Sequence, residues 1–504
     1  MTENLSPKSN SLRAILSLSW QSVAYGIGTL GSQLLIYFML PFLTRYMSQE
    51  DYGVVSVITA AFAFLNMLTN AGLPQATFRY YNNTKDEKKQ QITIGTSQFL
   101  FFLLSALPAT GILLFPKPIS FLLLGSDRYA PILQIVACYL VFESMNTFGT
   151  IVLRIEVRAF MSSIHSIILI ACKTGLALLF VIVYGMGIRG YWLGHLSGSF
   201  LGLLFMIWLI RKRAVFKISW KRLWDLTKFG IPLIPASLSM TTLRLADRYI
   251  ISAITGFDQV AIYDIGYKVG TMILFLIIPF RTAWIPFAFS IADKPEASRT
   301  YRDVLTYITA GCSILILFVI AFRAEIVSII APVSYANASI IVGWVAASQL
   351  FLAAYHVFSI GAMISNKPVE LAWAALSAAG LNLLLNFLLI PYIGILGAAI
   401  ATLVGYTGLA MITYLIGKRS FNLSVDWTRI GKLILVDGLV LLTMLAVENL
   451  PITAWLQLAF KLLGLLAFPF LLLLVGFISM NQIRGTLDIV KNTLKGKSSV
   501  NTES

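Results

Sequence analysis

Fourteen long apolar runs, separated by short polar segments, limit the folds open to this sequence more than any other feature. A hydrocarbon core about 30 Å thick requires about 20 apolar residues of helix to cross it, and the runs approach or exceed that length. The predicted membrane-spanning helices occupy residues 18–43, 52–72, 92–115, 129–152, 160–184, 188–210, 230–254, 259–286, 304–322, 337–362, 369–390, 394–416, 430–447 and 453–478. The chain is therefore predicted to be an all-α integral membrane protein with about 14 transmembrane helices.

The overall composition excludes several classes of protein. Hydrophobic residues make up 58% of the 504 residues and charged residues only 12%, about half of the charge that soluble globular proteins carry. A soluble enzyme, a DNA-binding factor and a disordered scaffold are excluded on this ground. No GxxxxGK[ST] phosphate-binding loop occurs, so the chain is not expected to hydrolyse ATP. The cysteines lie within apolar runs without CxxC spacing, which indicates neither a disulfide framework nor a zinc site.

The basic residues are distributed unequally between the two sides of the membrane. With alternate segments assigned to opposite sides, 27 of the 38 lysines and arginines fall on the side of the N-terminus, five on the opposite side and six within the predicted helices. Because basic loops stay in the cytoplasm, this distribution predicts an even number of helices with both termini cytoplasmic. The net charge of +16 thus reflects topology rather than nucleic-acid binding. The outer segments are too short to form a domain, which counts against a membrane glycosyltransferase or polymerase, and the chain is not expected to be an enzyme.

Two sets of residues recur along the chain. Gly187 and Gly190 recur as Gly394 and Gly397 at an offset of 207, and the basic pair Arg211-Lys212 recurs as Lys418-Arg419 at the same offset. Arg45-Tyr46 recurs as Arg248-Tyr249 at an offset of about 203. Chance matches among apolar helices are the alternative. A period of six helices predicts two parallel repeats related by an axis along the membrane normal, with a substrate cavity between them. The predicted segments are a cytoplasmic tail (1–14), an N-terminal six-helix lobe (15–213), a cytoplasmic basic linker (214–229), a C-terminal six-helix lobe (230–420), helices 13 and 14 (421–480) and a second cytoplasmic tail (481–504).

Charged residues within the predicted helices are candidates for function, because a charge in the middle of a bilayer costs about 2.5–3.5 kcal/mol. Arg248 lies ten residues before Asp258, in the turn between helices 7 and 8, and Lys268 lies ten residues after it. At 1.5 Å per residue both are about 15 Å deep. The set on these two helices comprises Arg244, Asp247, Arg248, Asp264, Lys268 and Arg281.

Two interpretations of this set remain open. Salt bridges that fasten helix 7 to helix 8 account best for Asp247 and Asp264, which we treat as structural or coupling residues. A cationic cavity wall accounts best for Arg248 and Lys268, because arginine and lysine suit phosphate oxygens. Arg244 is expected to share a helix face with Arg248, and Asp264 to share one with Lys268, since the members of each pair are four residues apart. The three bases would then outnumber the two acids.

Three further charged residues are weaker candidates. Arg281 lies near the inner end of its helix, where it either extends to the cytoplasmic surface or forms the inner mouth of the cavity. Glu143 and Lys173 lie in the middle of helices 4 and 5. They either pair with each other or contact the substrate. No metal ligands or cofactor are indicated.

Several motifs, taken in order, resemble those of a known transporter family. They are Gln49-Glu50-Asp51-Tyr52-Gly53; Gly72-Leu73-Pro74-Gln75-Ala76 with Arg79; Ala246-Asp247-Arg248-Tyr249-Ile250-Ile251-Ser252 with Tyr263; Tyr267-Lys268-Val269-Gly270; Ala283-Trp284-Ile285-Pro286-Phe287; and Leu381-Asn382-Leu383-Leu384-Leu385-Asn386 running into Pro391 and Gly394. Over about residues 15–420 the chain resembles the Wzx-like polysaccharide-flippase branch of the multidrug/oligosaccharidyl-lipid/polysaccharide exporter superfamily.

The resemblance implies two facing six-helix lobes, alternating access, and a substrate in which an oligosaccharide repeat unit is linked by pyrophosphate to a polyprenol. It further implies that Asp247, Arg248 and Lys268 face the central cavity and that Arg79 is a basic residue at the cytoplasmic end of helix 2. Such a flippase for O-antigen, capsule or exopolysaccharide units would lie in a bacterial or archaeal plasma membrane, with a polysaccharide polymerase and other glycan-assembly membrane proteins as partners.

Two other branches of the superfamily are the alternatives. Lipid II flippases resemble one another in having basic residues within helix 1, whereas residues 18–43 contain no charge. Multidrug or organic-cation antiporters rely on unpaired carboxylates, which here are outnumbered by nearby bases.

Overall fold

The chain forms helices because lipid requires each apolar run to satisfy its backbone hydrogen bonds internally. The computed structural model describes residues 31–477 except residues 32, 71, 212–216, 366, 422 and 423. In that range it contains twenty α-helices and no strand. The predicted tails, 1–14 and 481–504, lie outside the described residues, as does the beginning of the predicted linker.

The helices of the N-terminal half are α1 (33–46), α2 (Gln49–Asn70), α3 (Leu73–Asn82), α4 (Glu87–Leu114), α5 (Pro116–Leu124), α6 (Ala130–Ile155), α7 (Ala159–Leu178), α8 (Gly187–Ile210) and α9 (Trp220–Gly230). Those of the C-terminal half are α10 (Ile234–Leu245), α11 (Asp247–Thr255), α12 (Phe257–Gly270), α13 (Leu274–Ser290), α14 (Ala297–Ala321), α15 (Arg323–Ile330), α16 (Ser339–Ile364), α17 (Pro368–Ile393), α18 (Ile395–Phe421), α19 (Trp427–Glu448) and α20 (Ala454–Leu474).

Twelve helical segments of the described chain are long and apolar enough to cross a membrane. They coincide with twelve of the fourteen predicted helices. The first of the other two, 18–43, lies largely outside the described residues, which include only α1. The second, 230–254, is broken into shorter pieces. The all-α, multi-pass membrane fold is therefore confirmed, while the count of fourteen remains a prediction.

The break in the seventh predicted helix lies beside two of its charges. A 3-10 turn, Ile231–Leu233, leads into α10, which ends at Leu245, and α11 begins at Asp247 after the single residue Ala246. At the junction the Asp247 carboxylate accepts a hydrogen bond from the backbone N–H of Arg248, and the Arg248 side chain donates to the carbonyl of Arg244. Charged side chains thus satisfy backbone groups in the middle of the span, where lipid would leave them unpaired.

The two halves of the molecule repeat the same packing order. In the N-terminal half α4 packs on α6, and α8 packs on both α6 and α7; in the C-terminal half α14 packs on α16, and α18 packs on both α16 and α17. The turns before α8 and α18 both contain a glycine with positive φ, Gly187 (51°) and Gly394 (57°). These are the two glycines that recur at an offset of 207, so the packing agrees with the predicted parallel repeat. The lobe boundaries themselves stay a prediction.

Helix α2 is the main N-terminal element that contacts the other half. It packs along α12 and also against α10 and α11. Near its N-terminal end, a Cβ added to Gly53 would lie 1.9 Å from the carbonyl oxygen of Phe257. Past its other end, a Cβ on Gly72 would lie 2.8 Å from the carbonyl oxygen of Gly230, the last residue of α9. Gly53 therefore allows a close approach of the two halves, and Gly72 allows a close approach of α9.

The last two helices attach to the C-terminal half through α14 and a cluster of four charges. Arg323 lies 2.6 Å from Glu448, and Lys461 lies 2.9 Å from Glu325 and 3.2 Å from Glu448. These contacts join α15 to α19 and α20, so Lys461 has a structural role away from the lobe interface.

Candidate functional site

A cavity of about 430 Å³ lies between the two halves of the molecule. Helices α1, α2, α6, α7 and α8 form one wall, and α10, α11 and α12 form the other. The volume falls within the range typical of small-molecule binding sites. The charged side chains that line it are Lys173, Arg248, Asp264 and Lys268.

Arg248, in the first turn of α11, is held by two carboxylates. Its Nη1 lies 2.9 Å from Asp247 Oδ1, and its Nη2 lies 3.1 Å from Asp264 Oδ1. The guanidinium carbon is 4.5 Å from the centroid of the Tyr267 ring, and only 4% of the side chain is exposed. Tyr263 donates a short hydrogen bond to the other oxygen of Asp247. Arg248 is thus a fixed part of the cavity wall.

Lys268, near the end of α12, is the most accessible charge of this cluster. Its Nζ lies 2.7 Å from Asp264 Oδ2, so the expected i, i+4 pair forms. Nζ also donates to the hydroxyl of Tyr52 on α2, at 2.9 Å, and that hydroxyl in turn donates to Asp264. The Lys268 side chain is 31% exposed, against 6% for Asp264. An ammonium group has three donors, and within the described part of the chain Nζ contacts Asp264 and Tyr52 alone. One donor therefore remains that these residues leave for a ligand in the cavity.

The structure places Arg244 outside the cavity lining, and its side chain is exposed. Its backbone carbonyl accepts a hydrogen bond from Arg248 Nη1 at 3.1 Å. The charges that contact one another directly are Asp247, Arg248, Asp264 and Lys268, which are two acids and two bases. A surplus of one base at this cluster depends on Arg244 and stays a prediction. The most exposed charged side chain of this cluster is nevertheless a base, Lys268.

Glu143 and Lys173 pair with each other across the N-terminal half. Lys173 Nζ lies 2.9 Å from Glu143 Oε1, and Ser199 donates to the other carboxylate oxygen at 3.0 Å. Lys173 lines the cavity opposite Lys268, and Glu143 lies behind it. Each cavity wall thus presents a lysine that is paired with a carboxylate.

The two remaining candidates lie elsewhere. Arg281 on α13 is exposed and outside the cavity lining. Arg79 on α3 is exposed, and its guanidinium carbon lies 4.8 Å from the centroid of the Phe229 ring on α9. Neither residue is brought together with Arg248 and Lys268.

An aromatic surface on the N-terminal wall was missed by the sequence analysis. Phe62 stacks on Tyr139, with the ring centroids 4.5 Å apart, and Tyr191, Trp192 and His195 continue the surface along α8. The indole N–H of Trp192 is buried without a hydrogen-bond partner. The sequence placed Tyr191 and Trp192 in the recurring stretch, but aromatic residues in an apolar helix do not indicate which of them face a cavity.

The cavity is suited to noncovalent binding of an anion. Among the described residues, no three or more His, Cys, Asp or Glu side chains are grouped so that they could hold a metal ion. Its carboxylates are already paired with bases. The accessible group is the Lys268 ammonium, beside aromatic rings.

The family comparison gives one match. A family model described as "Polysaccharide biosynthesis protein" matches residues 20–292. A search of curated proteins finds no significant match.

Solved structures resemble this fold over most of the chain. The lipid II flippase MurJ, in an inward closed conformation, superposes with a TM-score of 0.73 at 16% identity, covering 89% of this chain and 98% of the flippase. A multidrug resistance MATE family transporter of the MOP superfamily, in an inward-facing conformation, gives 0.64 at 16% identity, covering 77% and 94%. A MOP superfamily transporter from Pyrococcus furiosus, described as having a binding pocket of reverse polarity, gives 0.59 at 14% identity, covering 81% and 95%. These relatives are transporters and a flippase rather than enzymes, in agreement with the expectation for this chain.

Proposed function

The chain belongs to the polysaccharide biosynthesis protein family, and we propose that it is a flippase that moves polyprenyl-pyrophosphate-linked oligosaccharide repeat units from the cytoplasmic to the outer leaflet. The units would serve surface polysaccharides such as O-antigen or capsule. The membrane is the plasma membrane of a bacterium or archaeon, with both termini cytoplasmic. A polysaccharide polymerase and other glycan-assembly proteins would act next on the exported unit.

The observation that carries this proposal is the accessible ammonium of Lys268 in a cavity between two lobes. Lys268 is the most exposed charge of the cluster, at 31% against 6% for Asp264, so an anionic head group that enters the cavity meets its ammonium first. Lys268 keeps a free donor and is the group that contacts the pyrophosphate. Arg248, which is saturated by Asp247 and Asp264, positions the cluster.

The direction of transport agrees with the sign of the membrane potential. In a cell held inside-negative, each negative charge that leaves gains about 2.3 kcal/mol per 100 mV. Opening of the contacts between α2 and the C-terminal half would expose the head group on the outer side. The prenyl chain stays in lipid while the sugars occupy the cavity.

Two alternatives use the same fold. An organic-cation antiporter needs an accessible carboxylate, and both oxygens of Asp264 are engaged by bases. A lipid II flippase would carry the same pyrophosphate on a different glycan, so the identity of the accumulated precursor separates it from the proposal.

The proposal is tested by replacing Lys268 in cells that depend on this protein for their surface polysaccharide. We expect Lys268→Met to reduce export about tenfold or more, because a hydrogen bond to a charged group contributes about 1.5–3 kcal/mol. Lipid-linked precursor should accumulate, and Lys268→Arg should retain a larger part of the export. Export and membrane levels of the protein are measured together.

The matched control is Lys294→Met, which removes an exposed lysine from a loop outside the cavity. Normal export by a normally abundant Lys268→Met protein would overturn the assignment. If the Lys268→Met protein is degraded, we measure instead how purified wild-type protein and Lys268→Arg bind polyprenyl pyrophosphate. A wild-type protein that does not bind this lipid contradicts the proposal.

A further inference from the structure

Helix α9 lies outside the transmembrane lobes, and its two faces differ. Leu226 is fully buried in a cluster with residues of α3, α4, α6 and α8, and Leu223 and Phe229 pack against the same cluster. The helix also contacts α3 and α4. One face of α9 is therefore firmly docked on the N-terminal half.

The opposite face is exposed and carries two tryptophans among lysines. Trp220 is 77% exposed and Trp224 65%. Lys221 and Lys228 are exposed three residues before and four residues after Trp224, and Lys217 is exposed just before the helix. We call the surface formed by these two tryptophans and three lysines the tryptophan–lysine face. The neighbouring Asp225 pairs with Arg222 at 3.6 Å.

The depth of α9 places this face at the membrane surface. The backbone N–H of Ser219, just before α9, donates to the side chain of Thr96 at 3.1 Å. Thr96 lies nine residues into α4, about 14 Å along the helix from its polar beginning at Glu87. At its other end α9 leads through a single 3-10 turn into α10. The helix thus begins on the membrane side of the charged residues Lys88 and Lys89 of α4.

We propose that the tryptophan–lysine face binds the head groups of anionic phospholipids in the leaflet on the base-rich side of the membrane. Tryptophan is enriched at the level of the head groups, and an amphipathic helix with basic residues beside aromatic ones lies in the plane of the interface. Each lysine near an anionic surface adds to the attraction. This inference is independent of the substrate that the cavity binds.

The proposal is tested on the purified full-length protein in a neutral detergent. Retention of phosphatidylglycerol is measured by native mass spectrometry, and the shift of the melting temperature is measured with phosphatidylglycerol or phosphatidylcholine added. The wild-type protein should retain and be stabilised by phosphatidylglycerol but not by phosphatidylcholine. The triple variant Lys217→Gln/Lys221→Gln/Lys228→Gln should bind phosphatidylglycerol about tenfold more weakly or worse.

The chain offers a matched control in Lys85→Gln/Lys88→Gln/Lys89→Gln, which removes the same charge from exposed lysines without neighbouring tryptophans. The control should bind like the wild-type protein. Equal binding by the wild-type protein and the first triple variant overturns the proposal, as does an equal loss in the control. Equal stabilisation by inorganic phosphate also overturns it, because the site would then recognise a free anion rather than a lipid surface. The double variant Trp220→Ala/Trp224→Ala, in which the lysines are intact, should retain less lipid. If this double variant does not fold, the two triple lysine variants alone test the proposal.

Discussion

Asp264 connects the two bases of the cavity wall, and its two oxygens have different partners. Oδ1 accepts from Arg248, and Oδ2 pairs with Lys268 and accepts from Tyr52. A single carboxylate thus links α11, α12 and α2. At the scale of the residue, this makes Asp264 the member of the cluster on which the others depend.

Asp264→Asn should destabilise the protein by about 3–5 kcal/mol, because it leaves the buried Arg248 with one carboxylate and Lys268 with none. Thermal unfolding of the detergent-purified protein, in parallel with export, measures the effect. Asp258→Asn makes the same chemical change at an exposed position in the first turn of the same helix. A melting temperature for Asp264→Asn equal to that of Asp258→Asn would show that the cluster does not stabilise the fold.

At the scale of the element, the contact between α2 and the beginning of α12 depends on a missing side chain. Gly53 lies so close to the carbonyl of Phe257 that any Cβ would overlap it. The glycine lies in the helix Gln49–Asn70, where alanine would otherwise be favoured by about 1 kcal/mol. The close approach of the two helices explains why glycine occupies this position.

Gly53→Ala should therefore destabilise the protein by about 1–3 kcal/mol through overpacking. Gly438→Ala, in the interior of α19 with open space at its Cβ position, should leave stability unchanged or raise it slightly. Melting temperatures of the two purified variants test the difference. Equal melting temperatures would show that the contact between α2 and α12 accommodates the added methyl group without loss of stability.

At the scale of the whole molecule, the end of α1 and the beginning of α2 are hydrogen bonded to the opposite half. Thr44 donates to the carbonyl of Ile330 at 2.8 Å, and Gln49 donates to the carbonyl of Ser334 at 2.8 Å. In the predicted orientation these contacts lie on the outer side. They would have to separate for the cavity to open outward.

A covalent link across this contact should stop export. In a protein whose three native cysteines are replaced, Gln49→Cys and Ser334→Cys joined by a short cleavable thiol cross-linker should lose export and regain it on reduction. Each single cysteine variant treated with the same reagent should keep exporting. Unchanged export by the cross-linked protein would contradict an outward opening at this contact.

Much of the architecture follows from the residues taken along the chain. Apolar runs of membrane length predicted twelve helical segments that the structure contains. The recurring glycines Gly187 and Gly394 predicted a repeat, and both have a positive φ at the beginning of α8 and just before α18. The pair of Asp264 and Lys268 was predicted because residues four apart on one helix must be neighbours. In each case the information is local.

The pairings between helices were decided by the tertiary structure. Tyr52 contacts Lys268 across 216 positions of sequence. Arg248 lines the cavity whereas Arg244 is exposed outside it. Tyr191 and Trp192 line the cavity because α8 is rotated that way in its lobe. Hydropathy and helical period determine where a helix lies and which residues share a face. How helices rotate and cross depends on the simultaneous packing of many side chains, and no local pattern specifies it. The sequence alone thus determined a multi-pass helical protein with charges at mid-membrane depth, and only the packing of its helices decided which of those charges faces the cavity.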